Sequence, residues 1–471
     1  MTGWMLLGAV CACAALVLPD AARLDANRML MVGGRPTFIL GLYEHPKDDA
    51  KLQEAVEAGF NLIQCPPDPT ALDRVHATGA HAWVNTGMAL DLSEDTDRRK
   101  GMLAEMVARL GRHPALLVWE GPDEGLWNTW YGPMQELAAE FAAMRSEVQA
   151  RPELRAAMDR AHNLFDRALW PEFEKARAEF WLAAGKPCPS PNARMDTARQ
   201  RATRMADGFT AGARYLREVD PAHFIWLNHA PRNSVRAMRE HNRAVDMAGC
   251  DIYPIPFNLG VGHSDLVNMR PSSVGDYTDR MRDAAPGKAC AMVLQGFGWQ
   301  DLREEVDEAE VKLGFGRRPS LREQRFMAWD AIVHGANAIL YWGTAYVKEP
   351  SSEDSRRFWS ELLTVVREVR SMEPFLVASD MRPAPTVRVE ENYASQDGGG
   401  VRVALRKAGA AYLLVVVNEN PNGVAFTVNG LPPALDGKTL ERTEPGGSCA
   451  VKGRSIRDGI RGFDVHLYRA E

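Results

Sequence analysis

Asp123 and Glu124 stand side by side just after an apolar run, Ala115 to Trp119, that breaks at Gly121-Pro122. Two adjacent carboxyls in such a place have two uses. They can cap a turn or a helix, a role Asp favours, or they can do acid–base work, one carboxyl giving up a proton while another stays charged. Continuous hydrophobicity without alternation reads as a strand covered on both faces, and the carboxyl ends of such strands are where α/β proteins collect their chemistry. Spacing alone leaves both uses open. Other strand-like runs end in residues of the same kind: Glu44, Glu120, Asn228, His229, Asp251, Tyr253, Gln295, Trp299, Trp342 and Tyr346. Carboxyls, amides and aromatic faces suit glycosidic bond cleavage, in which one carboxyl protonates the leaving oxygen, a second attacks or activates water, and rings stack on sugars. No Schiff-base Lys, three-His set or phosphate-cradling Gly-rich loop accompanies them, so no cofactor is expected.

What must position these residues is a repeated strand–helix unit. Phe38 to Tyr43, Asn61 to Cys65, His81 to Asn85 and Ala115 to Trp119 read as four strands. Helical segments ending at Gly59, Gly79 and Gly111 separate them, Gly being a good helix terminator. From Gly125 to about Ala206 the chain is rich in Ala, Arg and Glu at helical spacing, which predicts a helical insertion. Strands resume at Phe224 to Leu227, Met247 to Cys250, Ala289 to Leu294 and Ala338 to Trp342. Eight units predict an α/β fold of the (β/α)₈ TIM-barrel type, which leaves no open sheet edge. Met29 to Thr37 reads as a short hairpin lid turning at Gly33-Gly34. After Pro374 short β-rich runs, including Tyr412 to Asn418 and Phe463 to Tyr468, predict an antiparallel β-sandwich. The expected organisation is a leader over 1–22, a barrel over 29–375 and a small β-sandwich domain over 380–471.

Composition agrees with a globular protein: 45% hydrophobic and 25% charged residues in a chain of 471, with a net charge of −6. The charge is spread without long blocks, so nothing points to nucleic acid as a partner. The apolar run Trp4 to Leu18 has the length of a secretory signal and is short for a membrane span, so secretion or residence in the periplasm or cell envelope is expected. An uncleaved N-terminal membrane anchor is the alternative. Cys65, Cys188, Cys250, Cys290 and Cys449 are scattered without metal-ligand spacing, and those beside predicted strands read as buried free thiols.

The segment His113-Pro-Ala-Leu-Leu-Val-Trp-Glu-Gly-Pro-Asp-Glu124 resembles the strand-four motif of the clan A glycoside hydrolases, the (β/α)₈ group that includes β-galactosidases and cellulase-like enzymes. Gly33-Gly-Arg-Pro-Thr-Phe-Ile-Leu-Gly-Leu-Tyr43, Ala58-Gly-Phe-Asn-Leu-Ile63 and Gly335-Ala-Asn-Ala-Ile-Leu-Tyr-Trp342 are similar to further segments of that clan. The resemblance implies that Glu124 is the acid/base, with Asp123 in place of the usual Asn. It also implies a carbohydrate substrate. The clan's nucleophile is a Glu at the end of strand seven, where this chain has Gln295, and an amide cannot act as that nucleophile. Three readings follow: inversion with Asp251 as the base, substrate assistance with Asp123 orienting a 2-acetamido group, or a catalytically silent carbohydrate-binding barrel. Glu44, Glu120, Asn228, His229, Tyr253, Gln295, Trp299, Trp342 and Trp127 are the expected substrate contacts. His229 and Asp251 also admit structural roles, as a pocket-wall histidine and a loop tie.

Overall fold

Residues 21–231, 233–256, 268–305, 308–390, 400–443 and 446–471 are described in a computed structural model; the proposed leader, residues 1–20, lies outside them. Eight parallel strands close into a barrel in chain order: β1 Ile39–Leu42, β2 Leu62–Cys65, β3 His81–Asn85, β4 Leu116–Glu120, β5 Phe224–His229, β6 Met247–Ile252, β7 Ala289–Gln295 and β8 Ala338–Trp342. The last strand pairs with the first, Ala338 opposite Ile39. The chain is therefore a TIM barrel with a C-terminal β domain.

Side chains alternate between barrel interior and helical layer, as a period of two requires. On β5, Phe224 and Trp226 enter the interior cluster, whereas Ile225 and Leu227 meet the helices. Small residues make room for the large ones. A Cβ on Gly249 would lie 1.8 Å from the Ala291 carbonyl oxygen, and one on Gly41 would lie 2.7 Å from Leu340 Cγ. The hairpin Leu30–Val32/Arg35–Thr37 turns at Gly33 and Gly34, both with positive φ. Leu30 lies in the interior cluster with Ile39 and Leu62, and Val32 packs against it, so this hairpin, read as a lid, floors the barrel at its amino-terminal end.

The insertion after β4 is helical, with helices Trp127–Ala150, Arg155–Asp166 and Trp170–Ala184 around a core of their own that includes Leu137, Phe141, Phe173 and Phe180. Inside it Arg177 grips Glu140 through Nε and a second nitrogen at 2.8 and 2.7 Å, and Trp181 Nε1 donates to the same carboxylate at 2.6 Å. The chain returns to the barrel along one helix, Ala198–Val219, longer than the Phe209 to Val219 segment read from the sequence. Gly208 and Gly212 let this helix lie against the loop after β3.

The C-terminal domain pairs a three-stranded sheet with a five-stranded one. In the strand Ala411–Asn418, Leu413, Val415 and Val417 pack on the barrel's outer helical layer, and Leu414 and Val416 face the domain's own core. Thr439–Arg442, Gly447–Ala450 and Ser455–Ile460 are strands that the sequence did not announce. No helix among the described residues is long and apolar enough to cross a membrane. Cys65, Cys250 and Cys290 are buried free thiols.

Gly212 tests the close approach of the returning helix. A Cβ there would sit 1.8 Å from the Leu90 carbonyl oxygen, a backbone atom that no rotamer change can move. Gly212→Ala is expected to cost about 2–4 kcal/mol through overpacking. Gly101→Ala, in the exposed helix Thr96–Leu110 with nothing near its Cβ, is expected to add about 0.5–1 kcal/mol from helix propensity. Urea denaturation of the two variants measures both.

Candidate active site

The barrel mouth takes its inward ring from the last inward residue of each strand or from the residue after it. Tyr43 follows β1, Asn85 ends β3, Glu120 ends β4, Asn228 and Asp251 lie in β5 and β6, and Trp342 ends β8. After Glu120 the backbone turns at Gly121, where a Cβ would strike Leu227 Cδ2 at 2.3 Å. Glu124 adopts a left-handed backbone, φ 48°, a conformation that costs a non-glycine residue roughly 1–2 kcal/mol. Two backbone bonds hold it there: its N–H donates to the Asn228 carbonyl at 3.2 Å, and its own carbonyl accepts from Trp127 at 2.7 Å. The acid candidate is thus pinned between β5 and the first turn of the insertion.

Deepest in the site is Glu120, with no exposed surface. Its carboxyl bonds to the Tyr43 hydroxyl, and Trp83 Nε1 donates to its other oxygen at 3.1 Å. Tyr43, Trp83 and Trp226 form an aromatic trio in the same interior, with ring centroids 5.3 to 5.6 Å apart. Burial in this apolar setting, with the charge of Asp123 above, pushes Glu120 up to about 8 despite the bonds from Tyr43, Trp83 and Asn85. Near neutrality Glu120 keeps its proton.

Above it, a single amide nitrogen spans two carboxyls. Asn228 Nδ2 donates to Asp123 Oδ1 at 2.9 Å and to Asp251 Oδ1 at 2.6 Å. Tyr43 also bonds to Asp123, and Tyr253 to Asp251. Asn228 is almost fully buried, and its Oδ1 has no hydrogen-bond partner among the described residues. Water reaches Asp123, yet protein atoms crowd it, and that crowding raises its carboxyl above the usual range. Asp251 is raised further, by burial first and then by the charges of Asp123 and Glu124. Glu124 is therefore close enough to Asp251 for its charge to be felt there.

An aromatic wall completes the mouth. Tyr253 stacks on Trp342 with centroids 5.5 Å apart and an interplanar angle of 19°, Phe297 meets Trp299 at 5.1 Å, and exposed Tyr346 lies 5.2 Å from Trp342. Trp299 and Trp342 are partly exposed.

Three expected contacts lie elsewhere. Glu44 is one residue past Tyr43 and so faces outward; it accepts from Thr344 in the β8 loop, and burial raises its carboxyl. His229, one residue past Asn228, also turns away from the mouth. It bonds to Asn242 at 2.8 Å and packs beside His241, and burial lowers it to about 4. Gln295 points inward but is covered: its Oε1 accepts from the Ile255 N–H at 2.9 Å and its Nε2 donates to the Phe297 carbonyl at 3.0 Å. Both ends of its amide are thus engaged by backbone. Among the described residues, Asp251 bonds to the side chains of Asn228 and Tyr253. Trp127 is half-buried in the first turn of the insertion. Tyr43, Trp83 and Asn85 were not among the expected site residues; their signal was alternation, each falling on the inward register of its strand.

The closed eight-stranded barrel is a fold that this chain shares with solved glycoside hydrolases. No family model matches the sequence, and no curated protein does. Among solved structures, it is similar to a GH42 β-galactosidase from G. stearothermophilus, at 11% identity and a TM-score of 0.52 over 92% of this chain and 98% of that one. A β-galactosidase from Bacillus circulans sp. alkalophilus gives 11% and 0.53 over 94% and 100%. A family 5 glycoside hydrolase from Bacteroides vulgatus gives 10% and 0.51 over 96% and 93%. At these identities the likeness is one of fold.

The raised Glu120 carboxyl has a measurable consequence. Its ordinary value is 4.5 and its folded value about 8, so the folded state resists its ionisation and stability falls as pH rises through that window. Glu120→Gln mimics the protonated form, its amide able to donate to Tyr43 Oη and accept from Trp83. Relative to the variant, the wild type is expected to lose roughly 2–5 kcal/mol between pH 4.5 and 9. Denaturation midpoints at the two pH values measure it, and a constant gap would show that Glu120 carries no proton.

Proposed function

We propose that this chain is a glycoside hydrolase that cleaves an oligo- or polysaccharide, with Glu124 protonating the leaving oxygen and Asp251 activating water. The observation that carries the reading is the Asp123–Asn228–Asp251 bridge beside Glu124 at the mouth of a barrel walled by Trp299 and Trp342. Gln295 is no carboxylate and its amide is occupied by backbone, which supports a mechanism without the strand-seven nucleophile. Raised carboxyls suit the work, since a base with its pKa moved toward the operating pH balances proton affinity against the fraction ionised. The unpartnered Asn228 Oδ1 is an acceptor suited to a sugar hydroxyl. The apolar run Trp4 to Leu18 supports export to the cell envelope or beyond.

One observation favours a second reading. Tyr43 and Asn228 both orient Asp123, the residue adjacent to the acid, and an oriented carboxylate there could hold the 2-acetamido group of a substrate that supplies its own nucleophile. NMR of the first-formed product separates the two readings: inversion of the anomeric centre supports water activated by Asp251, and retention restricted to 2-acetamido sugars supports assistance.

Glu124→Gln is expected to lower kcat by roughly 10²–10⁴-fold, with far less loss on aryl glycosides whose leaving group needs no proton. Unchanged turnover of a cleaved oligosaccharide would overturn the acid assignment. Asp251→Asn should be comparably impaired and should erase the acidic limb of the pH–rate profile, which lies above the ordinary Asp range in the wild type. Gln295→Glu is not expected to raise activity. Binding without cleavage across a polysaccharide panel would instead leave a carbohydrate-binding barrel.

A further inference from the structure

A second cluster of ionisable side chains lies far from the mouth, on the seam between barrel and β domain. Asp330 and His334 are four residues apart and share one face of the helix Leu321–Val333 and its C-cap. Glu419 follows the domain strand Ala411–Asn418. One ligand atom from each of these three residues falls in a group whose members all lie within 4.8 Å of one another. His334 Nε2 is 2.7 Å from Glu419 Oε1 and 3.9 Å from Asp330 Oδ1.

The donor set has the features of a ligand shell. Asp330 is fully buried; its Oδ2 accepts from the Gly275 N–H at 2.7 Å, while Oδ1 has no hydrogen-bond partner and is turned toward His334. His334 Nδ1 bonds to Asp279 at 2.9 Å, the carboxylate support that metal-bound imidazoles use to fix tautomer and ring orientation. Gly275 keeps the space open: a Cβ there would lie 2.6 Å from His334 Nε2 and 2.8 Å from Asp330 Oδ2. Arg402 holds both Glu419 oxygens at 3.2 Å from outside the group, and Arg282 lies 3.7 Å from Asp279.

We propose that Asp330, His334 and Glu419 bind one divalent ion of the zinc class, which fastens the β domain to the barrel. One imidazole and two carboxylates suit such an ion at ligand distances of about 2.0–2.2 Å. Binding displaces the proton on His334 Nε2, which leaves to solvent, and gives Asp330 Oδ1 the partner it lacks. The site is independent of the glycosidase reading, because none of its residues lies at the mouth.

The test is calorimetric titration of the EDTA-stripped full chain with Zn²⁺, with thermal melts in its presence and absence. About one ion per chain and a rise in Tm of several degrees are expected. Glu419→Gln and Asp330→Asn should each weaken uptake at least about tenfold, whereas Asp251→Asn, which alters a carboxyl of the mouth, should bind as the wild type does. Visible bands of Co²⁺ loaded in place of Zn²⁺ should shift on Glu419→Gln. Failure of the wild type to take up an ion overturns the proposal whether or not the variants fold. So does uptake that Asp251→Asn abolishes and Glu419→Gln spares.

Discussion

One amide nitrogen organises the mouth of this barrel. Asn228 donates to Asp123 and to Asp251 at once, and two carboxyls so close cannot both ionise freely. The arrangement needs β4, β5 and β6 in register, because Asp123 arrives through the turn after β4, Asn228 sits in β5 and Asp251 in β6. It also needs a rigid floor. Trp83 and Trp226 fill the interior beneath, and Gly249 lets β6 approach β7 closely. Barrel closure is thus what turns three separate strand ends into one hydrogen-bonded group.

That group extends downward. Tyr43 links Asp123 to Glu120, so a protonated acid lies under the carboxyls that face solvent. The charge that Glu120 feels from above is that of Asp123.

The architecture could be read from the sequence because each barrel strand is a short apolar run with a Gly, Pro or polar stop. Thr439–Arg442 and Ser455–Ile460 could not, since most of their residues are polar or Gly and leave little hydrophobic pattern. At the barrel mouth, Asp123, Asn228, Asp251 and Tyr253, all read as strand-end residues, come together in one bonded group. Glu44 and His229 went astray by a single residue, because a shift of one position in a strand reverses the face. Gln295 has the inward register but is roofed by the β6 loop, a covering set by tertiary folding that periodicity cannot convey. Asp330, His334 and Glu419 escaped notice because the third member is separated from the others by a domain boundary.

The left-handed backbone at Glu124 carries one more consequence. At φ 48° glycine would be the residue of least conformational energy, and a chain shaped by folding stability alone would drift toward it. A glutamate there makes the fold slightly weaker than it need be. What the chain gains is an aim: a side chain leaving a left-handed residue departs on a different heading from one on a strand or helix. Backbone strain at this corner thus amounts to a steering angle, set at the Cα–Cβ bond.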